Sequence, residues 1–429
     1  METHRGVRTA LLITLIVIVS ITAGLFWFNF RFMNLYDMSS TYLIVPIVIY
    51  SIMILLYLPT RVILYTLYKP YDDRGYRPTV TVVVPAYNEG SFVKKTLKAL
   101  LRSDYPKELF QIIAVDDGSR DDTFKNILEM ANKHPDMIKA LRFQKNRGKR
   151  EAMAEGVKHA KGEIIVFIDS DTIVEKDAVR HLVAPFTDSR IGGVTGKVKV
   201  ENWNRNILTR MLGVRYIMSF DFYRCTSSVF GGITCLSGVI SAYRKNILED
   251  VIPTWREQIF LGSKCTFGDD RSLTNHVLKR DYLTVYSRKA VAHTLAPDNI
   301  GKLMKMLVRW NRSFVRETLI LMKYIYDPRV IVRRKMLFFE STITTLMPFL
   351  MMFIIGTIYV RVALNPWHLV TVIGSIAAMA MIYMLFYIKT ERNWQFVYGI
   401  AYAFFYITIL IWILPYAMLT VNKTHWGTR

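Results

Sequence analysis

A chain of 429 residues, 52% of them hydrophobic and with a mean hydropathy of +0.22, is too apolar for an ordinary soluble enzyme and points to membrane spans. Its three cysteines, Cys225, Cys235 and Cys265, are odd in number and irregularly spaced, which argues against a disulfide framework and a zinc cluster. The formal net charge of +22 fits anionic membrane lipids and a phosphate-bearing substrate; no nucleic-acid partner is expected, because much of the basic charge flanks apolar runs.

Residues 9–30 form a near-continuous apolar run, long enough to cross a bilayer core of ~30 Å. A second run follows at 42–67 with no small-residue cleavage site between them, so both read as anchors rather than as a signal peptide. Arg5 and Arg8 keep the amino terminus cytoplasmic, and the chain returns to that side near Lys69. Residues 1–68 are therefore expected to hold two transmembrane helices.

From Arg77 to about Asp298 the character changes to that of a soluble α/β domain, bounded at 69–300. Residues 79–85 (TVTVVVP) read as a buried strand, 91–102 as a helix, and 111–115 and 163–168 as further strands. Strands alternating with helices predict a parallel sheet with ligands at the carboxyl ends of its strands.

Residues 302–326 predict an amphipathic helix. Lys302, Lys305, Arg309, Arg312 and Arg316 recur at steps of three and four, while Leu303, Leu307, Trp310 and Phe314 form an apolar stripe on another face. This is the pattern of a helix lying in the membrane interface, over 301–335; a helix packed on the soluble domain is the alternative. Apolar runs at 336–360, 367–387 and 396–419 follow. Three full crossings would put the tail outside, yet Lys389–Arg392 and the tail residues Lys423, His425 and Arg429 are basic. Pro415 within the last run is expected to break it into a re-entrant hairpin, leaving 336–421 in the membrane and 422–429 in the cytoplasm.

Carboxylates follow the predicted strands one after another. Asp116-Asp117-Gly118-Ser119 follows the second and Asp169-Ser170-Asp171 the third, with Asp269-Asp270 further along. A carboxylate at a strand end projects into the crevice where such a sheet binds ligands. Two aspartates one residue apart suit a hard divalent cation that also coordinates substrate phosphates. Alone, Asp-Ser-Asp reads as a turn or a cap; three acidic sites in register on one sheet favour chemistry. Pro85-Ala86-Tyr87-Asn88-Glu89, after the first strand, offers an aromatic and polar edges for a flat base. Asn146-Arg147-Gly148-Lys149-Arg150 is a compact basic loop suited to an anionic donor.

Together these residues resemble the family-2 glycosyltransferases over nearly the whole chain. The resemblance implies a nucleotide-diphosphosugar fold of the GT-A type, an α/β domain inserted between transmembrane helices. It implies that Tyr87, Glu89 and Asp117 bind the uridine and that Lys149 and Asp169 position the donor. Ala86, Arg150, Ser170, Asp269 and Arg271 join them as substrate-binding residues. Asp171 would hold Mg²⁺ or Mn²⁺ against the diphosphate, and Asp270 would be the general base. Membrane polymerising members carry a Gln-x-x-Arg-Trp signature; here Met306-Leu307-Val308-Arg309-Trp310 has methionine in place of glutamine but keeps the phosphate-binding Arg309 and the acceptor-stacking Trp310.

Three stretches look specifically like hyaluronan synthases: 260–274 (FLGSKCTFGDDRSLT), 309–317 (RWNRSFVRE) and Trp426-Gly427-Thr428-Arg429. The last resembles a gating loop that closes over the nucleotide, so Trp426 and Arg429 would touch substrate, and Cys265 would lie near the acceptor sugar. The expected activity is processive, inverting synthesis of hyaluronan from UDP-GlcNAc and UDP-GlcUA at the plasma membrane. The growing polysaccharide would leave through the enzyme's own spans, with Mg²⁺ or Mn²⁺ as cofactor. Chitin oligomers or poly-N-acetylglucosamine, made from UDP-GlcNAc alone, are the alternative products.

Overall fold

A computed structural model describes residues 41–423; the expected span 9–30 and the terminal tetrapeptide lie outside the described residues. The chain divides into two units, one holding Lys69–Tyr324 with the chain from Ile413 onward, the other Ile325–Trp412 with the chain up to Tyr68. The first described helix, α1 (Thr41–Leu67), belongs to the second of these.

In the larger unit the run VTVVVPA forms β1 (Val80–Ala86), buried at all seven positions. Burial on both faces is what a continuous β-branched run satisfies. Helix α2 (Phe92–Leu101) leads to β2 (Phe110–Asp116), α3 (Thr123–Lys133) to β3 (Ile138–Arg142), and α4 (Lys149–Lys158) to β4 (Ile164–Ile168). These four strands are parallel, in the order β3-β2-β1-β4. Ala86 stands beside Asp116 in the register, and Val83 beside Phe167, so the loops after β1, β2 and β4 leave the sheet at one edge.

The sheet then departs from the all-parallel expectation. After β5 (Thr172–Val174) and α5 (Ala178–Val183), β6 (Ile191–Val200) is followed by α6 (Ile207–Ile217), a π-helical turn at Met218–Phe222 and α7 (Tyr223–Ser228). The segment then enters β7 (Ile240–Arg244), which runs antiparallel between β4 and β6. Ile240 pairs with Ile168 at the carboxyl end of β4, so the connection from β6 returns to the edge it left and β7 must run backwards. Helix α8 (Lys245–Arg256), a short β8–β9 hairpin (Ile259–Phe260 and Ser263–Lys264) and α9 (Asp269–Lys279) precede β10 (Leu283–Thr294). β10 is parallel to β6 and antiparallel to β5, completing a mixed eight-stranded sheet.

The predicted amphipathic helix is α10 (Ile300–Ile325). Within the larger unit Leu303 and Leu307 are buried, but so are Arg312, Ser313, Arg316 and Glu317. Its middle is thus docked on the domain, and of the basic stripe Lys302 and Lys305 remain exposed. Two of the five cations, Arg312 and Arg316, are buried, a division of the stripe that periodicity does not reveal.

In the smaller unit, α11 (Pro328–Arg333) precedes α12 (Lys335–Leu364) and α13 (His368–Glu391), which are long and apolar enough to cross a membrane. Ile54 and Leu58 of α1 pack with Ile382 of α13. Arg61 of α1 is buried, ion-paired with Glu340 of α12 and stacked 4.6 Å from the Tyr57 ring centroid. Helix α14 (Phe396–Thr408) meets the segment Leu410–Leu419, which contains α15 (Ile413–Leu419), at a bend of 49°. The break falls upstream of Pro415. The proline sits in the first turn of α15, where its missing N–H has no helical partner to lose.

Candidate active site

The loops at the common sheet edge are held by side-chain-to-backbone bonds. After β1, Asn88 adopts φ +52°, its N–H donating to Ser119 Oγ (2.9 Å) and its Oδ1 accepting from Arg120 N (3.0 Å). Thr123 Oγ1 accepts from the amides of Glu89 and Gly90 at 2.8 and 2.9 Å. Tyr87 and Glu89 are thereby fixed beside the acidic loop of β2.

Asp117 is buried, and its carboxylate accepts from the amides of Arg147 (2.7 Å) and Gly148 (2.9 Å), at the start of α4. Burial pushes its pKa up to about 6, with the two amides pulling partly back. Gly118 has φ +71°, and a Cβ there would lie 2.5 Å from the Lys145 carbonyl carbon. The acidic and basic loops therefore approach more closely than any side chain at position 118 would allow.

Asp169, Ser170 and Asp171 form the turn after β4. Ser170 donates to Glu89 Oε1 (3.1 Å), and its carbonyl accepts from Thr96 Oγ1 (2.8 Å). Lys149 Nζ is ion-paired with Asp169. Burial alone would lower the pKa of Lys149; the carboxylates of Asp169, Asp269 and Asp270 outweigh it and hold the ammonium above its ordinary range. One cation thus lies among three of the predicted carboxylates.

The Gly268-Asp269-Asp270-Arg271 segment opens α9. Asp269 is buried and accepts from Arg150 Nε at 3.0 Å. Arg150 also donates to the Trp255 carbonyl (2.8 Å) and to Gln258 Oε1 (3.0 Å). Asp270 Oδ1 accepts from the Arg271 amide (2.8 Å), and Oδ2 from the Cys235 thiol (3.4 Å). The Arg271 guanidinium lies 5.2 Å from the Phe314 ring of α10.

A buried polar network ties α10 to this segment. Arg316 donates to Glu317 (2.8 Å) and to the Phe267 carbonyl, while Gln258 and Asn275 donate to the Glu317 carboxylate at 3.1 and 3.2 Å. Trp310 is half-buried, 6.4 Å from the Tyr216 ring and 6.0 Å from the Arg215 guanidinium; Arg309 precedes it on the same helix. Cys265 is buried and lines a cleft of about 380 Å³ with Arg147, Gly148, Arg150, Lys264 and Thr266. The thiol in contact with Asp270 is that of Cys235, which the sequence reading passed over along with Gln258 and Glu317. No local pattern marks them: each acquires its place only when loop, hairpin and helix meet.

Among the described residues no group of three or more His, Cys, Asp or Glu side chains forms a cation cage. Asp171, in the turn after β4, offers the hard oxygen donor that suits a divalent cation.

The family model described as glycosyltransferase-like family 2 matches residues 78–313. The chain is 29% identical over 395 residues to the hyaluronan synthase of Streptococcus pyogenes, covering 89% of this chain and 90% of that one. It is 28% identical over 356 residues to an N-acetylglucosaminyltransferase of Azorhizobium caulinodans, covering 82% and 87%. Among solved structures, the mannosyltransferase PcManGT of Pyrobaculum calidifontis, in complex with GDP-Man and Mn²⁺, superposes with a TM-score of 0.59 at 20% identity, over 90% of this chain and 99% of that one.

Proposed function

The chain belongs to the glycosyltransferase-like family 2, and we propose that it is a multi-pass enzyme of the plasma membrane that builds hyaluronan from UDP-GlcNAc and UDP-GlcUA on the cytoplasmic face. The observation that carries the site assignment is Lys149, whose ammonium lies among Asp169, Asp269 and Asp270. The product assignment draws on the likeness to the streptococcal hyaluronan synthase across nine-tenths of both chains.

In this reading Asp270 takes the proton from an acceptor hydroxyl as its oxygen attacks the anomeric carbon from the face opposite the diphosphate. The bond from that carbon to the phosphate oxygen breaks with inversion, and UDP departs. Lys149 and Arg309 balance the negative charge developing on the leaving group. Tyr87, Glu89 and Asp117 hold the uridine, with Ala86, Arg150, Ser170, Asp269 and Arg271 completing the donor and acceptor contacts. Trp310 supplies an apolar platform for the acceptor sugar. Mg²⁺ or Mn²⁺, held by Asp171, would neutralise diphosphate charge when bound.

The tail fits the same scheme. Thr420 accepts from Arg312 Nε at 3.0 Å, and the Arg312 guanidinium lies 5.8 Å from the Tyr416 ring, so the carboxy-terminal segment is anchored on α10. Trp426 follows six residues later, a reach of up to ~20 Å in extended chain. In this reading Trp426 and Arg429 close over the nucleotide, and Cys265 lies beside the acceptor.

A product made from UDP-GlcNAc alone is the second reading, favoured by the likeness to the rhizobial N-acetylglucosaminyltransferase. Purified enzyme supplied with both donors should give a polymer that a hyaluronan-specific lyase degrades, and none when UDP-GlcUA is omitted. Lyase-resistant product from UDP-GlcNAc alone would establish the second reading instead. Asp270→Asn should lower UDP release by ~10²-fold or more while UDP binding persists. A variant that lost nucleotide binding instead would show that Asp270 is not the base.

A further inference from the structure

The segment from Cys235 to Val239, which leads into β7, touches both halves of the site. Its Cys235 thiol donates to Asp270 Oδ2 at 3.4 Å. Three residues on, a Cβ at Gly238 would lie 3.1 Å from Lys149 Nζ and 3.5 Å from the Asp169 carboxylate oxygens. The segment is also tied to α9 at a second point, where the Leu236 amide donates to Thr274 Oγ1 at 2.9 Å and that hydroxyl in turn donates to the Asp270 carbonyl at 2.6 Å.

We infer that Cys235 is a positioning residue for the proposed base: with the Arg271 amide on Oδ1, its S–H on Oδ2 clamps the Asp270 carboxylate at a fixed height relative to the Lys149–Asp169 pair. The inference rests on Asp270 being the base. Two donors on two different oxygens fix the plane of a carboxylate, and each oxygen keeps a lone pair for the acceptor proton. A thiol suits this place because it is a weak donor. It orients the carboxylate without stabilising the anion as strongly as a hydroxyl would, and so preserves basicity. Burial and the neighbouring Asp270 push the Cys235 pKa up to about 12, which keeps the proton on sulfur. The groups that face Asp270 are Lys149 of α4, Arg224 of α7, Tyr243 of β7 and its own neighbours Asp269 and Arg271. All are shared by wild type and variants, so they cancel from the comparison.

The test is the pH dependence of kcat, read as UDP release by the full-length enzyme in Cys235→Ala, Cys235→Ser and Asp270→Asn. Loss of a donor raises the carboxylate pKa. Cys235→Ala should therefore move the acid limb up by about half a pH unit and lower kcat about threefold, with UDP affinity unchanged. The stronger hydroxyl donor of Cys235→Ser should restore kcat near neutrality and move the acid limb below that of the wild type. Acid limbs that stay in place in both cysteine variants, with Asp270→Asn inactive, overturn the role of Cys235 and leave the base standing. Wild-type turnover by Asp270→Asn overturns both. Should Cys235→Ala fail to fold, the direction of the Cys235→Ser limb decides alone.

Discussion

At Gly268 the backbone adopts φ +77°, and a Cβ added there would run into Ser313 Oγ and come within 2.8 Å of an Arg316 guanidinium nitrogen. The glycine lets α10 lie directly on the loop that presents Asp269 and Asp270. Gly268→Ala adds left-handed strain to a steric clash, together roughly 2–4 kcal/mol. The thermal midpoint should fall and UDP release with it; a variant with wild-type midpoint and rate would show that the contact gives way at no cost. Asp117 supports a second expectation. Its carboxyl is held at about 6 by burial, so it is ionised at pH 7 and largely protonated at pH 5. The ionised form accepts from the single imide N–H of a uracil more strongly than the neutral carboxyl does. UDP affinity should therefore weaken by up to about tenfold between pH 7 and pH 5, and Asp117→Asn should flatten that dependence after titration of the UDP phosphate is subtracted. An equal slope in wild type and variant, measured by calorimetry, would remove Asp117 from the base pocket.

At the scale of elements, α10 is where the energetics concentrate. Glu317 is buried with Arg316, Gln258 and Asn275 around it. Glu317→Ala leaves the Arg316 cation buried without its carboxylate, which costs roughly 3–5 kcal/mol. The unfolding midpoint in detergent should drop by roughly 10 °C; a change within measurement error would mean that Arg316 is satisfied by the Phe267 carbonyl alone. The helix illustrates what a sequence carries and what it withholds. Its existence follows from periodicity, but a stripe of arginines reads alike whatever it faces, and nothing local reveals that Arg312 meets the Thr420 hydroxyl and Arg316 the Glu317 carboxylate. The strands divide in the same way. β1, β2 and β4 are β-branched runs that end in, or immediately before, the polar residues of the site, and all three were legible. β6 (IGGVTGKVKV) alternates only from Val194 onward and opens on two glycines that fit against Tyr282 and Leu236, and β10 is interrupted by Arg288 and Lys289, so neither pattern runs the length of its strand. The antiparallel β7 follows from where its connection returns, which no local signal encodes. Asp116, Asp117, Asp169 and Asp171 could be read from the chain because they end or follow a strand, whereas Asp269 and Asp270 open a helix and were marked by the resemblance of their stretch; Cys235 could not, because its meaning is the contact with Asp270.

For the molecule as a whole, the proposed chemistry has a consequence for transport. A polar polysaccharide cannot cross ~30 Å of hydrocarbon unaided, and the described residues include two helices long enough to span it, with a bent apolar pair beyond them. If synthesis and passage are coupled in one chain, the product should appear on the side of the bilayer opposite the donors. Purified protein reconstituted into sealed proteoliposomes offers that measurement, with UDP-sugars supplied only outside and the population with inward-facing catalytic domains therefore silent. Polymer should accumulate in a form that external lyase cannot digest, and it should become digestible once the vesicles are dissolved. The protected fraction should rise with time, because a processive enzyme extends a chain already inserted, whereas a chain released at each transfer would stay outside. Polymer fully digestible in intact vesicles, at undiminished UDP release, would separate the transferase from the channel and assign translocation to another protein.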